Sequence, residues 1–237
     1  MALAARRIAR VHKILGLVIG LQLLFWTASG LFFTLYPIET IHGDPFRPHP
    51  DHGQLVVSDV TVDPDWAAGL VKGRLERVEL KMFLGDPVWL IKTNLSNSMV
   101  DAVTGDLRSP ITQDELITLT SYGPDATTRP LGKTSIQYMI SENPKREYGG
   151  SLPAWIVEYS PGKQRIYVDA MTGDITAVRT TKWRIFDVLW RFHIMDVTGA
   201  DRFDSWWLKL VAFSGLTTIL FGIALLVDRA RKGRLLK

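Results

Sequence analysis

The sequence predicts an α+β protein in which two transmembrane helices flank an extracytoplasmic tandem domain, each half of it a helix plus an antiparallel sheet. Three observations carry this. Two long apolar runs stand near the ends, Ile14 to Tyr36 and Trp206 to Val227. Basic residues flank both runs on their outer sides. Between them a short string occurs twice, VDAVTGD at 100–106 and VDAMTGD at 168–174, differing at one position.

Residues 1–13 form a basic N-terminus with Arg6, Arg7, Arg10 and Lys13 and no acid. Residues 14–36 carry no charge. As a helix they span roughly 35 Å, enough for a hydrocarbon core of about 30 Å. The run is longer than a signal-peptide core and ends without an A-x-A cleavage pattern, so it reads as a retained helix. The second span, 206–227, has one charge, Lys209, close enough to the end to reach the headgroups. Residues 228–237 form a basic tail, with five basic residues against Asp228. Two basic flanks put both termini in the cytoplasm and the intervening region outside, in the periplasm of a bacterium with an inner membrane. The chain is +4 overall, and each end contributes +4. The remainder is therefore −4, so the positive balance marks membrane anchors and not a nucleic-acid surface.

Residues 37–182 form the soluble domain, with repeat units at about 60–110 and 134–180. Upstream of the duplicated string, GDPVWLIK at 85–92 answers SLPAWIVE at 151–158. The difference in spacing falls in the loop around SPGK. Trp89 and Ile91 alternate with Leu90, and Trp155 and Val157 with Ile156, the period of a strand. The T-G-D step supplies a glycine for positive φ and side chains that bond turn amides, so it reads as a hairpin turn ahead of a ligand site. Asp63-Pro64 marks a helix start, and Thr112 with Glu115 a capping box. Ser135 is placed to cap a helix over IQYMISEN that stops before Pro144. Residues 183–205 predict an interfacial amphipathic helix and a link. Trp183, Phe186, Trp190, His193 and Val197 make one stripe, Arg184, Asp187 and Arg191 another side, and Thr198-Gly199 breaks the helix before the second span.

The chain has no cysteine, which excludes disulfides, thiolate metal sites, iron–sulfur clusters and covalently attached haem. It has no Walker loop, dinucleotide glycine fingerprint, catalytic triad pattern or H-E-x-x-H, so it does not read as a nucleotide enzyme or hydrolase.

A helix, a short sheet and a V-D-A-x-T-G-D turn, in tandem, resemble PepSY domains. RVHKILGLVIG followed by TASGLFF resembles the first helix of PepSY-associated transmembrane proteins, and WRIFDVLWRFHIMD the histidine-bearing segment before their last helix. The resemblance covers nearly the whole chain. Larger members of the family have more transmembrane helices than the two here. Likeness to the siderophore-reductase type implies b-type haem and electron transfer across the inner membrane, serving ferric iron reduction. It also implies His193 and His12 as haem ligands. Two other readings stand beside it: a non-catalytic PepSY binding or regulatory module, and an accessory subunit of a respiratory or flavin electron-transfer complex.

Five histidines occur in all, at 12, 42, 49, 52 and 193. His193, on an aromatic stripe, suits either axial ligation or a core hydrogen bond. His12 shares a helix face with Gly16 and Gly20, which suits either a flat porphyrin or a packing groove for Ser214, Thr218 and Gly222 of the second helix. His42 lies six residues past Tyr36 and is the in-chain candidate for a second ligand beside His193. His49 and His52, in RPHPDHGQ, are weak metal candidates in what reads mainly as a loop. His12 and His193 sit at opposite ends of a core about 30 Å thick, so one porphyrin cannot use both. Beyond the lipid bilayer, the expected partner is therefore a second copy of the chain or a membrane complex.

Overall fold

A computed structural model describes residues 2–122, 134–139, 146–159, 164–196 and 204–233. The chain is α+β and divides into two compact units. One comprises residues 1–37 with 184–237 and the other residues 38–183.

The first unit is helical. Helix α1 runs Ala2–Leu35, longer at its start than the apolar run alone predicts. The basic first turns are good helix formers and continue the apolar stretch without a break. At the other end α6 runs Trp206–Arg231, capped by the Ser205 hydroxyl accepting from the Leu208 amide. Among the described residues these two are the helices long and apolar enough to cross a membrane. Their surfaces leave Leu17 80 % and Phe213 70 % exposed, and a continuous apolar surface of that kind needs a nonaqueous neighbour. They pack together through His12 and Ile19 of α1 against Gly222 and Gly215 of α6. The contact glycines are thus on the second helix. Gly16 and Gly20 of α1, predicted as the receiving groove, have nothing within 4 Å of a would-be Cβ. Helix α5, Thr181–His193, begins two residues before its predicted start. Its stripe is real: Phe186 stacks on Trp190 and Trp190 on His193, all three touching Phe33 of α1. Trp183 leaves the stripe: with Arg179 it belongs to the second unit, where the Arg179 guanidinium lies over its ring, 4.3 Å from Cζ to ring centre. The predicted Val197 and the Thr198-Gly199 link lie outside the described residues.

The second unit opens with the short helix α2, Ile38–His42, and then carries two antiparallel sheets. Helix α3, Pro64–Gly69, starts as the sequence requires, with Asp63 accepting from the amides of Asp65 and Trp66. Strands β1 (Leu75–Phe83), β2 (Asp86–Thr93) and β3 (Asn97–Asp101) form the first sheet in that order. Helix α4, Gln113–Ser121, has both halves of the capping box between Thr112 and Glu115. Strands β4 (Thr134–Met139), β5 (Ala154–Tyr159), β6 (Gln164–Asp169) and β7 (Ile175–Arg179) form the second sheet, again in order.

The helix predicted over 136–143 is corrected: residues 134–139 are strand β4, with Ile136 opposite Val157 of β5. A capping serine outweighed the alternating pattern of S-I-Q-Y-M in the sequence reading, whereas pairing with β5 and burial of Ile136 against the core decide the outcome. The helix of the second repeat is therefore α4. Residues 140–143 and the SPGK loop lie outside the described residues.

The repeat is matched bond for bond. Trp89 faces Val100 as Trp155 faces Val168, and Val88 faces Asp101 as Ala154 faces Asp169. In each turn the first aspartate accepts two amides through Oδ1: Val103 and Thr104, both 2.8 Å, on Asp101, and Met171 at 2.7 Å and Thr172 at 3.1 Å on Asp169. Thr104 and Thr172 each donate to the turn's closing aspartate at 2.8 Å. Gly105 (φ +83) lies against the Trp66 ring and Gly173 (φ +71) against the Phe83 ring, where any Cβ would collide.

In the packing, each helix covers the tryptophan face of its own sheet. Ala67 of α3 meets Ile91, Val100 and Trp89, while Leu116 and Leu119 of α4 meet Val157, Val168 and Trp155. The rear face of the first sheet, Val88 and Met99, joins that second cluster, so α4 and both sheets share one main core.

Candidate functional site

Three of the five histidines have a ring nitrogen held by a hydrogen bond. In a neutral imidazole one nitrogen donates and the other accepts, so naming the partner of one assigns the other.

His193 ends α5. Its Nδ1 lies 2.8 Å from Ser29 Oγ. That hydroxyl donates back to the Phe25 carbonyl at 2.7 Å, the ordinary bond of a helical serine. With its proton directed to Phe25, the Ser29 oxygen is free to accept from His193 Nδ1–H, the tautomer that leaves the Nε2 lone pair open. Trp26 Nε1 donates to the His193 carbonyl at 2.7 Å and pins the end of α5 to α1. The ring lies parallel to Trp190, 4° apart and 6.4 Å between centres, with Phe33 edge-on at 5.4 Å. Trp26, Trp190, His193, Ile194 and Leu208 line a cavity of about 440 Å³, within the size range of cofactor sites. A basic nitrogen with its opposite N–H held by the protein, beside an apolar aromatic cavity, is the arrangement an imidazole ligand of a metal requires. The residues present thus fit a planar iron macrocycle.

His12 has the same tautomer. Its Nδ1 lies 3.0 Å from the Thr218 carbonyl, which can only accept, so Nε2 again keeps the lone pair. The ring fills the space left by Gly222, where a Cβ would come within 3.2 Å of Cε1 and 3.8 Å of Nε2. His12 is therefore the side chain that α1 places into α6, and its imidazole edge is occupied by helix packing. Ser29 and His12 are seventeen positions apart on one helix, about 25 Å, so the two histidines serve separate places.

His42 ends α2, is exposed, and belongs to the sheet-bearing unit. His49 is also exposed. His52 has the opposite tautomer to His193. Its Nδ1 accepts the Leu84 amide at 3.2 Å, and its own carbonyl accepts the Gly85 amide at 3.3 Å. These bonds clamp the two-residue β1–β2 turn, in which Leu84 (φ +52) and Gly85 (φ +99) are both left-handed. Nε2 of His52 therefore carries the proton. Moving that proton to free Nε2 for a metal would set Nδ1–H against the Leu84 N–H. Burial and the nearby Lys81 both hold the His52 pKa below its ordinary value. Among the described residues, no three or more histidine, aspartate or glutamate side chains converge as a metal site.

Ser29 and Trp26 were not singled out from the sequence. The available signal was T-A-S-G, a polar interruption in an apolar run, because a polar side chain inside a membrane helix needs a partner. Comparison with family models, curated proteins and solved structures finds no match to this chain.

Proposed function

We propose that the chain is a PepSY-type protein of a bacterial cytoplasmic membrane that carries a b-type haem on His193 and works in electron transfer toward ferric iron. Helices α1 and α6 cross the bilayer, the basic ends stay in the cytoplasm, and the two-sheet unit lies on the periplasmic side. The observation that carries the haem reading is the Ser29–His193 bond, which leaves Nε2 basic beside the aromatic cavity. A haem bound there would supply a one-electron carrier. The chain's own contributions are specific. Ser29 orients the His193 ring and can hold its Nδ1–H, Trp26 holds its backbone, Trp190 stacks on its ring, and Leu208 and Ile194 complete the apolar lining.

His12 shares the required tautomer but is packed against Gly222, so this reading gives the chain one haem. Transfer across the whole membrane then needs a second carrier from another copy or a partner protein. The test is the absorption spectrum of the protein purified in mild detergent after growth with ample haem. A Soret band and a reduced α-band, both lost in His193→Ala while the melting temperature of the sheet unit is kept, support the proposal. A colourless wild type refutes it.

A further inference from the structure

The RPHPDH loop, whose His52 Nδ1 is taken by the Leu84 amide, borders a second cavity, of about 220 Å³, within the sheet-bearing unit. Arg47, Pro48, Pro50 and His52 form one side. The other side is Lys81 and Phe83 of β1 and the second turn, Thr172 to Ile175.

The donors and acceptors here are not balanced. His52 contributes Nε2–H, a donor, because Nδ1 already accepts from Leu84. Arg47 uses Nη1 on the Ile175 carbonyl at 2.7 Å and Nε on Asp44 at 3.5 Å, two of five guanidinium donors. Lys81 Nζ donates to the Thr172 carbonyl at 3.1 Å and to Asp174 Oδ1 at 3.2 Å. The other carboxylate oxygen of Asp174 is taken by the Thr172 hydroxyl at 2.8 Å. Lys81 and Asp174 therefore cancel in charge, the turn's acceptors are committed within the wall, and Arg47 and His52 remain as donors lining the cavity.

We propose that this cavity binds a single carboxylate group, held by the Arg47 guanidinium and the His52 Nε2–H. The charge argument selects the class. Arg47 pairs with Asp44 at 3.5 Å and Lys81 with Asp174 at 3.2 Å, beside a neutral His52, so the wall offers free N–H donors without an excess of charge, which suits a single carboxylate better than a dianion. Planar pairing of guanidinium with carboxylate suits the same choice. The volume lies below the usual range for larger ligands, so the group enters either as a small free acid or as the C-terminus of a peptide.

The probes are N-acetylglycine, N-acetylglycinamide, the peptide acetyl-Gly-Gly-Gly with a free C-terminus, and inorganic phosphate. Each is added to the full chain in detergent and followed by ligand-observed NMR. Binding of N-acetylglycine, with at least a tenfold weaker amide, is expected, and Arg47→Gln should weaken it about tenfold. Arg47→Lys keeps the charge and should recover part of the loss, with melting temperature reporting the fold of both variants. Tighter binding of the peptide than of N-acetylglycine would identify C-terminal capture, and the reverse a free acid. Each of four results overturns the proposal: equal binding of acid and amide, phosphate binding as tightly as the acid, unchanged affinity in a folded Arg47→Gln, or no binding up to roughly 20 mM. None of these touches the haem spectrum.

Discussion

The two copies of the duplicated turn place the same aspartate in the same hydrogen bonds, yet the two should titrate in opposite directions. Burial opposes ionisation of Asp101, but the Thr104 and Val103 amides and Arg108 outweigh it and hold its pKa below the usual 3.8. Burial also opposes ionisation of Asp169, and there the Met171 and Thr172 amides do not compensate, so its pKa is raised above 3.8. Two things differ: Asp169 is the more deeply buried and lies near Asp174, and Asp101 has Arg108, which reaches Asp101 at 3.3 Å, Asp86 at 3.0 Å and Glu115 at 2.6 Å. Thr176 holds the corresponding place after the second turn. Replacing aspartate by asparagine keeps the oxygen that faces the turn amides and removes only the charge. Asp101→Asn should therefore lose a charged hydrogen bond at a site 8 % exposed, about 1–2 kcal/mol. That corresponds to a drop of about 2–8 °C in melting temperature for a unit of this size. Asp169→Asn removes a charge from a site 5 % exposed that disfavours it, and should lie within about 0.5 kcal/mol of wild type at pH 7 or above it. The pH dependence has opposite signs. The contribution of Asp101 is full above 3.8 and lost as pH falls through its lowered value, so the Asp101→Asn deficit should shrink in acid. For Asp169 the wild type loses stability as pH rises from 3.8 through its raised value, so any advantage of Asp169→Asn should vanish below 3.8. The assay is thermal unfolding of the full chain in detergent at pH 7 and below pH 3.8. Equal deficits at pH 7, or a larger one for Asp169→Asn, would refute the reasoning.

In the two long apolar helices, Gly222→Leu should disrupt the packing of α1 on α6 by colliding with His12, whereas Gly16→Leu and Gly20→Leu should be tolerated, as read by melting in detergent. Trp89→Ala and Trp155→Ala should each destabilise the sheet unit by about 3 kcal/mol, the first also losing the Nε1 bond to the Val62 carbonyl at 2.9 Å; chemical unfolding measures both. Under the proposed haem reading, Ser29→Ala should keep the fold but lower haem content and shift the reduction potential, while Ser29→Thr should restore most of both. A cysteine at exposed Asn94 should be labelled in intact cells by a membrane-impermeant reagent that reaches the periplasm, and one at Lys232 only after lysis; the reverse pattern would invert the topology.

The sequence disclosed features governed by local rules. Asp63-Pro64 and Thr112–Glu115 start helices because their caps bond within three residues of themselves, and the duplicated turns are legible because their bonds are equally local. Strand β4 was misread because its identity depends on β5, which pairs with it from across a long connection. The receiving groove was assigned to Gly16 and Gly20 because a small-residue stripe names a surface without naming its partner, and α6 supplies the contact glycines instead. Histidine roles were ambiguous for the same reason. Whether Nε2 of His193 or His52 accepts or donates is set by Ser29 and by the Leu84 amide, residues distant in the chain or hidden in a turn.

The placement of α4 against both sheets has a consequence for how the domain comes apart. Each repeat looks self-sufficient in sequence, yet Val88 and Met99 on the rear of the first sheet rest in the cluster that contains Leu116 and Leu119 of the second repeat's helix. The segment joining the repeats is tied in as well, with the Ile111 amide on the Ala170 carbonyl at 2.7 Å. A chain cut near residue 110 would strand an apolar sheet face in water and remove the helix from its neighbour. The duplication therefore behaves as one foldon and not two, and backbone amides in β2 and β6 should exchange with solvent through the same opening event.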